Sequence, residues 1–173
     1  MMTTIPPERS GSLAWKQSPA QPRHYELRAG EDTVAELEFL KTFGTLARGR
    51  TPQQSWTFKR TGFLSPIATA RVEGAGQDAA VFHPDFSGTH GQIRLAGGEI
   101  FEFRLAGVWS RQALLVDDSR REVFRMHLKG DASLGAAVDV RLPETPEIAL
   151  LLLMTWYVLM LQMQEEALRA QSR

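Results

Sequence analysis

Near its C-terminus the sequence carries an apolar run that no ordinary surface helix would have. Residues 148–161 read Ile-Ala-Leu-Leu-Leu-Leu-Met-Thr-Trp-Tyr-Val-Leu-Met-Leu, without a charged side chain. A helix that is apolar on every side has to be enclosed by protein or by lipid. As a helix this run is roughly 21 Å long, whereas a membrane span takes about 20 apolar residues. The run is therefore short for a bilayer and suited to the interior of a protein.

Residues 13–142 have the pattern of a chain built from β-strands. Short runs rich in Val, Ile, Phe, Trp and Thr alternate with clusters of Gly, Asp, Pro and Ser, at intervals of about ten residues. Where the alternation is clearest, Trp56 and Phe58 share one face of a strand and Thr57 lies on the other. We predict twelve strands, at residues 12–16, 24–28, 33–39, 43–48, 55–60, 67–72, 79–83, 92–95, 100–105, 112–117, 122–128 and 136–141.

An internal repeat with an offset of 45 residues groups these strands in fours. The register aromatic-x-aromatic-base-x-x-Gly-apolar-x-Ser occurs at residues 56–65 and returns at 101–110. A period of this size also suits a β-propeller. Three blades, however, are fewer than the usual four to eight, and a propeller has no place for the apolar helix. A closed sheet is therefore favoured.

We predict one domain, residues 13–170, that is all-β apart from one central helix at 146–168. About twelve strands would form a closed β-barrel around this buried hydrophobic C-terminal helix. A barrel of about eight strands is filled by its own side chains, so a barrel of twelve has room for a helix on its axis. Thr145 is expected to cap the helix, Pro146 to take its first position, and Glu147 to favour the positive end of its dipole.

Composition excludes several classes of function. Lys plus Arg and Asp plus Glu number 20 each, which argues against a nucleic-acid binder that relies on overall attraction to phosphate. The sequence has no cysteine, so disulfides, thiolate metal sites and cysteine nucleophiles are excluded. Residues 1–12 lack the apolar stretch of a secretory signal and are expected to be a disordered leader. A cytoplasmic location, with peripheral contact to a membrane as an option, is the default expectation.

Three sequence features resemble a known family. They are the aromatic-x-Phe-Lys/Arg-x-x-Gly unit at 56–62 and 101–107, the returning strands at 79–82 and 122–124, and the terminal segment 146–161. In these the chain resembles bacterial members of the tubby C-terminal-like superfamily, which includes the LURP-one-related proteins and the phospholipid scramblases. The resemblance covers about residues 13–168. It implies a twelve-stranded barrel around a buried helix, anionic-lipid binding in one branch and lipid scrambling in another. The tubby signature segments and a scramblase-like acidic calcium loop are not matched.

The best candidate for a binding site is a stretch rich in basic residues. Between Glu38 and Glu73 the sequence has no acidic residue. Strands adjacent in sequence usually pair, so these bases would converge on one outer face, and Arg and Lys clusters recognise phosphate and anionic leaflets. The alternative is a solvated sheet face balanced by acids on neighbouring strands. The candidate ligand-binding residues are Lys41, Arg48, Arg50, Lys59, Arg60 and Arg71.

The remaining constellations of polar residues fit structural roles better than chemical ones. His83, Asp85 and His90 could ligate a metal, but the sequence has no fourth ligand at the spacing of a known metal motif. No metal site and no cofactor are therefore predicted. Asp117 and Asp118 suit a hairpin tip better than an acid–base pair. The sequence contains neither a nucleophile-elbow motif nor a phosphate-cradling glycine loop. We therefore name no catalytic residue and expect no enzyme.

The sequence as a whole predicts a non-enzymatic binding module that recognises anionic lipid headgroups or phosphorylated ligands through a basic barrel face. A structural or protein-interaction domain with no small-molecule ligand is one alternative. A tail-anchored membrane protein is another, but the apolar run is short and is flanked by Glu144 and Glu147 rather than by bases. No integral membrane span and no nucleic-acid partner are expected.

Overall fold

The computed structural model describes residues 12–42, 44–86, 90–106, 111–129 and 135–173. Within these ranges, twelve strands precede a single helix along the chain. The strands are β1 (Leu13–Gln17), β2 (His24–Ala29), β3 (Asp32–Phe39), β4 (Ala47–Arg50), β5 (Ser55–Thr61), β6 (Ile67–Val72), β7 (Asp78–Pro84), β8 (Gly91–Leu95), β9 (Ile100–Ala106), β10 (Gln112–Val116), β11 (Glu122–Leu128) and β12 (Gly135–Val140). The helix, α1, is Ile148–Gln171.

The strands close into a barrel. Each strand pairs with its neighbours in sequence, and β1 pairs antiparallel with β12 to complete the ring. In that closing pair Leu13 lies opposite Val138, and Trp15 lies opposite Ala136. Closure leaves no strand edge with unpaired backbone groups. The predicted barrel of twelve strands around one central helix is confirmed.

Alternation along each strand decides which side chains face the helix. On β5 the side chains of Trp56 and Phe58 are buried, whereas the next residue, Lys59, is exposed. Phe101 and Phe103 are buried in the same way on β9, so the aromatic positions of the sequence repeat lie on two strands as matching inward pairs. Elsewhere the inward positions are small and leave room for the helix, at Ala47, Ala68, Ala70, Ala80, Ala113 and Ala136.

α1 fills the barrel. Every residue of the run 148–161 is buried. Trp156 stacks on Trp15 with ring centroids 5.2 Å apart, and Tyr157 stacks on Phe39 with centroids 5.6 Å apart. The helix is long and apolar enough to cross a membrane by length and composition, and 78% of its most apolar window is buried inside the barrel.

The hydroxyl groups within the apolar run are hydrogen-bonded. Thr155 donates to the Leu151 carbonyl oxygen at 2.9 Å, within the helix itself. Tyr157 donates to the carbonyl oxygen of Thr45 at 2.5 Å, which ties the helix to the chain just before β4. Burial raises the pKa of Tyr157 well above its usual value, so this phenol keeps its proton and remains a donor.

The direction of α1 distinguishes the two ends of the barrel. Ile148 follows the end of β12, and the helix leaves at the other end, where odd-numbered strands finish and even-numbered strands begin. Residues 162–165 are half-buried and residues 166–173 are exposed. The polar last turns therefore project from the barrel, as predicted. We call this the exit end and the other the opposite end.

The helix begins two residues later than the predicted start at 146. Its N-cap residue is Glu147, which has φ 55° and ψ 37° and makes no side-chain capping bond. The hydroxyl of Thr145 instead donates to the Leu142 carbonyl oxygen at 2.7 Å. Thr145 thus stabilises the turn that brings the chain from β12 back into the barrel, and the expected Thr145 cap is not formed. The reversal ends with Glu147 in the left-handed region, which few non-glycine residues adopt.

β4 also begins later than predicted, at Ala47, since residues 44–46 are not in a strand; the predicted start, residue 43, lies outside the described residues. Two backbone carbonyl oxygens before β4 accept hydrogen bonds from distant side chains. The Tyr157 hydroxyl donates to Thr45 O at 2.5 Å, and Arg23 Nη1 donates to Thr42 O at 2.8 Å. These contacts hold the segment in a loop that caps the barrel wall. The sequence around residues 43–46 does not reveal these contacts, since Arg23 and Tyr157 are distant in sequence.

A charge within the helix should prevent folding. Leu152 is fully buried, so we expect Leu152→Asp to abolish cooperative folding because an unpaired carboxylate cannot be accommodated there. Leu152→Ala should lower the free energy of unfolding by about 2–5 kcal/mol. Leu168→Asp is the matched control on the same helix, since Leu168 is 55% exposed. Thermal unfolding followed by circular dichroism measures all three; a Leu152→Asp protein with the wild-type melting temperature would contradict the burial of α1.

Gly49 is required by close packing against the helix. A Cβ atom at this position would lie 2.5 Å from Cε2 of Phe58 and 3.3 Å from a methyl group of Leu153. Phe58 is completely buried and cannot withdraw. We expect Gly49→Ala to lower the free energy of unfolding by about 1–3 kcal/mol, measured by urea denaturation. Gly76→Ala, where a Cβ would meet nothing within 4 Å, should be close to neutral; equal losses in both variants would contradict the packing explanation.

Candidate functional site

Four of the six predicted binding residues lie on one outer face of the barrel. Arg48 and Arg50 alternate with the inward-facing residues of β4, Lys59 lies on β5 and Arg71 on β6. The register places Arg48 and Arg71 on either side of Thr57 in three adjacent strands. The pairing of neighbouring strands thus gathers these residues as the sequence predicts. We call the four residues the basic face.

The three arginines of the basic face are already paired with acids. Arg48 Nε lies 2.7 Å from Glu73 Oε1, and Arg71 Nη2 lies 2.9 Å from Asp78 Oδ1. Arg50 pairs with Glu36 of β3. Exposed pairs of this kind contribute only about 0–1 kcal/mol each to stability, but they neutralise the charge that would attract an anion. This part of the face therefore fits the alternative in which acids on neighbouring strands balance the bases.

Arg60 lies inside the mouth of the barrel rather than on the outer face. It has the same parity as the inward-facing Trp56 and Phe58, and its guanidinium pairs with Glu165 of α1. It lines a cleft between the helix and the barrel wall together with Pro66, Ala68, Phe82, Pro84, Val158, Leu161 and Gln162. The pair holds the emerging helix against β5 and leaves Arg60 with little charge to offer to solvent.

Lys41 and Lys59 are the members of the predicted set that have no acidic partner among the described residues. Lys41 lies in the connection between β3 and β4, at the exit end, and is exposed. Lys59 is exposed near the end of β5, toward the same end of the barrel. An ammonium group that is clear of carboxylates can bind phosphate as a point charge. Of the predicted residues, the cations available for binding are therefore Lys41, at the exit end, and Lys59, the member of the basic face that lies toward that end.

Arg23, which the sequence analysis did not select, fixes the loop that carries Lys41. Its Nη1 donates to the Thr42 carbonyl oxygen at 2.8 Å, and its Nη2 donates to Gln164 Oε1 of α1 at 3.0 Å. The guanidinium also lies over the ring of Phe39, 4.3 Å from the centroid. Partial burial lowers the pKa of Arg23 from its usual value. No local motif marks this role, because its partners come from the β3–β4 loop and the C-terminal helix.

Exposed apolar side chains concentrate at the exit end. Phe63 and Leu64, between β5 and β6, are 97% and 91% exposed. Phe86, between β7 and β8, is fully exposed, and Leu40 and Leu168 are partly so. Of the large apolar side chains that are exposed in the described part of the chain, only Ile100 lies toward the opposite end. Exposed apolar patches mark places where another surface binds.

The connecting loops at the two ends of the barrel differ in charge. Among the described residues, the exit-end loops carry the bases Arg23, Lys41, Arg111 and Lys129 and the acid Asp85. The loops of the opposite end carry the acids Glu31, Glu73, Glu99, Asp117, Asp118, Glu144 and Glu147 and the bases Arg120, Arg121 and Arg141. The projecting part of α1 is balanced, with Glu165, Glu166, Arg169 and Arg173. The barrel is thus polarised, with a basic exit end and an acidic opposite end.

The other constellations found in the sequence have structural roles in the fold. Asp117 accepts hydrogen bonds from the backbone N–H groups of Ser119 and Arg121, at 3.0 and 2.9 Å, and so closes the β10–β11 hairpin. Partial burial raises the pKa of Asp117, but the bonds from Arg121 outweigh it and hold that pKa below the usual range. His83 is an exposed side chain near the end of β7, and the backbone N–H of Asp85 donates to the carbonyl oxygen of His90 at 2.9 Å.

No protein-family model, no curated protein and no solved structure matches this chain. The resemblance to tubby-like proteins therefore stays a prediction, and the functional assignment has to be drawn from the geometry described above.

Removing the Arg23 anchor should loosen the β3–β4 loop. Arg23 reaches four acceptors from two nitrogens: the carbonyl oxygens of Lys41, Thr42 and Gly44, and Gln164 Oε1. A lysine has three donors on a single nitrogen and cannot replace all four bonds. We expect Arg23→Lys to lower the free energy of unfolding by about 1–3 kcal/mol, and to speed amide hydrogen exchange in residues 40–46. Arg94→Lys, at an exposed site on β8, is the control. Unchanged exchange in the loop of Arg23→Lys would contradict the anchoring role.

Proposed function

We propose that this protein is a non-enzymatic binding module whose exit end docks on an anionic lipid surface. The observation that carries the proposal is the presence, at one end of the barrel, of exposed apolar loop residues beside lysines that have no acidic partner in the described part of the chain. Phe63, Leu64 and Phe86 would enter the interfacial layer of the lipid. Lys41 and Lys59 would contact the headgroups.

The apolar side chains support a lipid surface over a soluble phosphorylated ligand. A small ligand is usually held in a concave pocket, whereas Phe63 and Leu64 stand almost fully in solvent at a loop tip. Phe and Leu side chains are among those that interfacial membrane-binding segments bury at the boundary between headgroups and acyl chains. Their burial there would contribute about 25 cal/mol for each Å² of apolar surface removed from water.

The charge distribution supports a defined orientation on the membrane. Anionic leaflets attract basic segments with about 1 kcal/mol for each Lys or Arg near the surface. The acidic opposite end would be repelled, so the barrel would stand with its exit end toward the lipid. The zero formal net charge of the chain keeps this interaction local, and added salt should weaken it.

Liposome flotation tests the proposal. We expect the protein to float with phosphatidylcholine vesicles that contain phosphatidylserine, and not with phosphatidylcholine alone. Lys41→Glu/Lys59→Glu should lower recovery with the anionic vesicles, by about tenfold or more in partition coefficient if each lysine contributes about 1 kcal/mol. Phe63→Ser/Leu64→Ser should lower recovery as well, because it removes the apolar contact while the barrel stays intact.

The charge-matched control is Arg94→Glu/Arg120→Glu. It makes the same change in net charge on β8 and in the β10–β11 loop, away from the exit end. Wild-type recovery is expected for this control. Equal recovery with neutral and anionic vesicles, or an equal loss in both pairs of charge variants, would overturn the proposal.

A protein-interaction domain without a small ligand is the second candidate, and the same exposed apolar residues favour it. An interface between proteins would bury Phe63, Leu64 and Phe86 against a complementary surface. Sedimentation analysis of the purified chain distinguishes one form of this candidate: self-association that Phe63→Ser/Leu64→Ser abolishes, combined with no flotation, would favour it over lipid.

Two predictions from the sequence remain as proposals beside these. Kinship with the tubby-like superfamily agrees with a barrel around a buried helix. Membrane insertion of α1 as a tail anchor would require residues 148–161 to leave the barrel, which would expose the inward aromatic residues of the strands. Limited proteolysis of the C-terminus with and without vesicles would detect such a release.

A further inference from the structure

A second group of side chains, on the outer face of β2 and β3, has the composition of a metal site. His24 and Glu26 belong to β2, Glu36 belongs to β3, and the register places Glu26 opposite Glu36. One possible ligand atom from each of the three lies within 4.8 Å of the others. All three residues are half-buried, unlike the solvated acids of the loops.

The imidazole of His24 is oriented as a metal ligand would be. Its Nδ1 lies 3.0 Å from Gln21 Oε1, an acceptor that holds the ring proton on Nδ1. The lone pair of Nε2 is then directed to the carboxylates. Nε2 is buried and has no hydrogen-bond partner among the described residues, and it lies 4.0 Å from Glu36 Oε1, which is too far for a hydrogen bond. Metal-bound histidines characteristically donate their other ring N–H in this way.

Both carboxylates are held by neighbouring arginines through one oxygen each. Glu26 Oε2 accepts a bond from Arg28 Nη1 at 2.9 Å, and Glu36 Oε2 accepts one from Arg50 Nε. The Oε1 atom of each carboxylate remains for another partner. The imidazole and the two carboxylates are therefore each held in position by a hydrogen bond with a neighbouring side chain, as metal ligands commonly are.

We propose that His24, Glu26 and Glu36 bind a divalent transition-metal cation, for which Zn²⁺ is best suited. Zinc accepts imidazole nitrogen and carboxylate oxygen at about 2.0–2.2 Å, so adjacent ligand atoms would approach to about 3.4 Å. The separation of His24 Nε2 from Glu36 Oε1, now 4.0 Å, would have to shorten by about 0.6 Å. A water molecule would complete the tetrahedron, as in sites with three protein ligands. Mg²⁺ is disfavoured, because it prefers an octahedral set of oxygen ligands and one of the three ligands here is an imidazole nitrogen. The site is independent of the proposed lipid contact.

Isothermal titration of untagged, chelator-treated protein with ZnCl₂ tests the proposal. We expect one Zn²⁺ per chain and no binding of MgCl₂ at the same concentrations. His24→Ala and Glu36→Gln should each weaken Zn²⁺ binding at least tenfold. Gln21→Ala, which removes only the support of the imidazole, should weaken it about 10–100-fold. Co²⁺ in place of Zn²⁺ gives a visible absorption spectrum that His24→Ala should remove.

The chain offers matched controls. His83→Ala changes an exposed histidine of the barrel wall, and Glu102→Gln changes a glutamate that pairs with Arg104 on β9 much as Glu36 pairs with Arg50. Both should bind Zn²⁺ like the wild type, and circular dichroism checks that every variant is folded. Absence of Zn²⁺ binding, unchanged binding in a folded His24→Ala protein, or an equal loss in His83→Ala would overturn the proposal.

Discussion

The enclosure of α1 by the sheet is the interaction on which the rest of this structure depends. Residues 148–161 present apolar surface on all sides, so one packing partner on one face would not be enough. A sheet wrapped fully around the helix satisfies that requirement, and the helix in turn fills a ring of strands too wide to be filled by its own side chains. Without the barrel the helix would expose its apolar surface, and without the helix the barrel would have an unfilled interior. Gly49 and the inward alanines show that the strands pack closely against α1.

This arrangement moves function to the outside of the molecule. The helix occupies the space in which other barrels hold a ligand, so binding has to use the wall or the ends. The three arginines of the basic face are neutralised by Glu36, Glu73 and Asp78. The exit end combines exposed Phe63, Leu64 and Phe86 with an excess of basic loop residues. The proposed zinc site adjoins the basic face, because its ligand Glu36 also pairs with Arg50, and its three ligands are half-buried.

Much of the fold is readable from the sequence because its signals are local. The strands β6 and β11 have the predicted bounds, and alternation alone places Trp56 and Phe58 inside. The prediction fails at β4, where Arg23 and Tyr157 bond the carbonyl groups of the preceding loop. It also fails at the start of α1, where the reversal from β12 uses a left-handed Glu147 instead of a Thr145 cap. At β4 the deciding partners are far away in sequence, whereas at α1 the Thr145 hydroxyl donates to the Leu142 carbonyl oxygen three residues earlier.

The sequence by itself determined the class of fold, since side-chain periodicity and an apolar run are properties of neighbouring residues. It also determined that Arg48, Arg50, Lys59 and Arg71 lie on adjacent strands, because strands next to each other in sequence pair in such a barrel. Only the tertiary structure decided which charges remain available for binding. Ion pairs such as Arg60 with Glu165, and clusters such as His24 with Glu36, form between segments whose separation is fixed by the register of the sheet and the path of the helix.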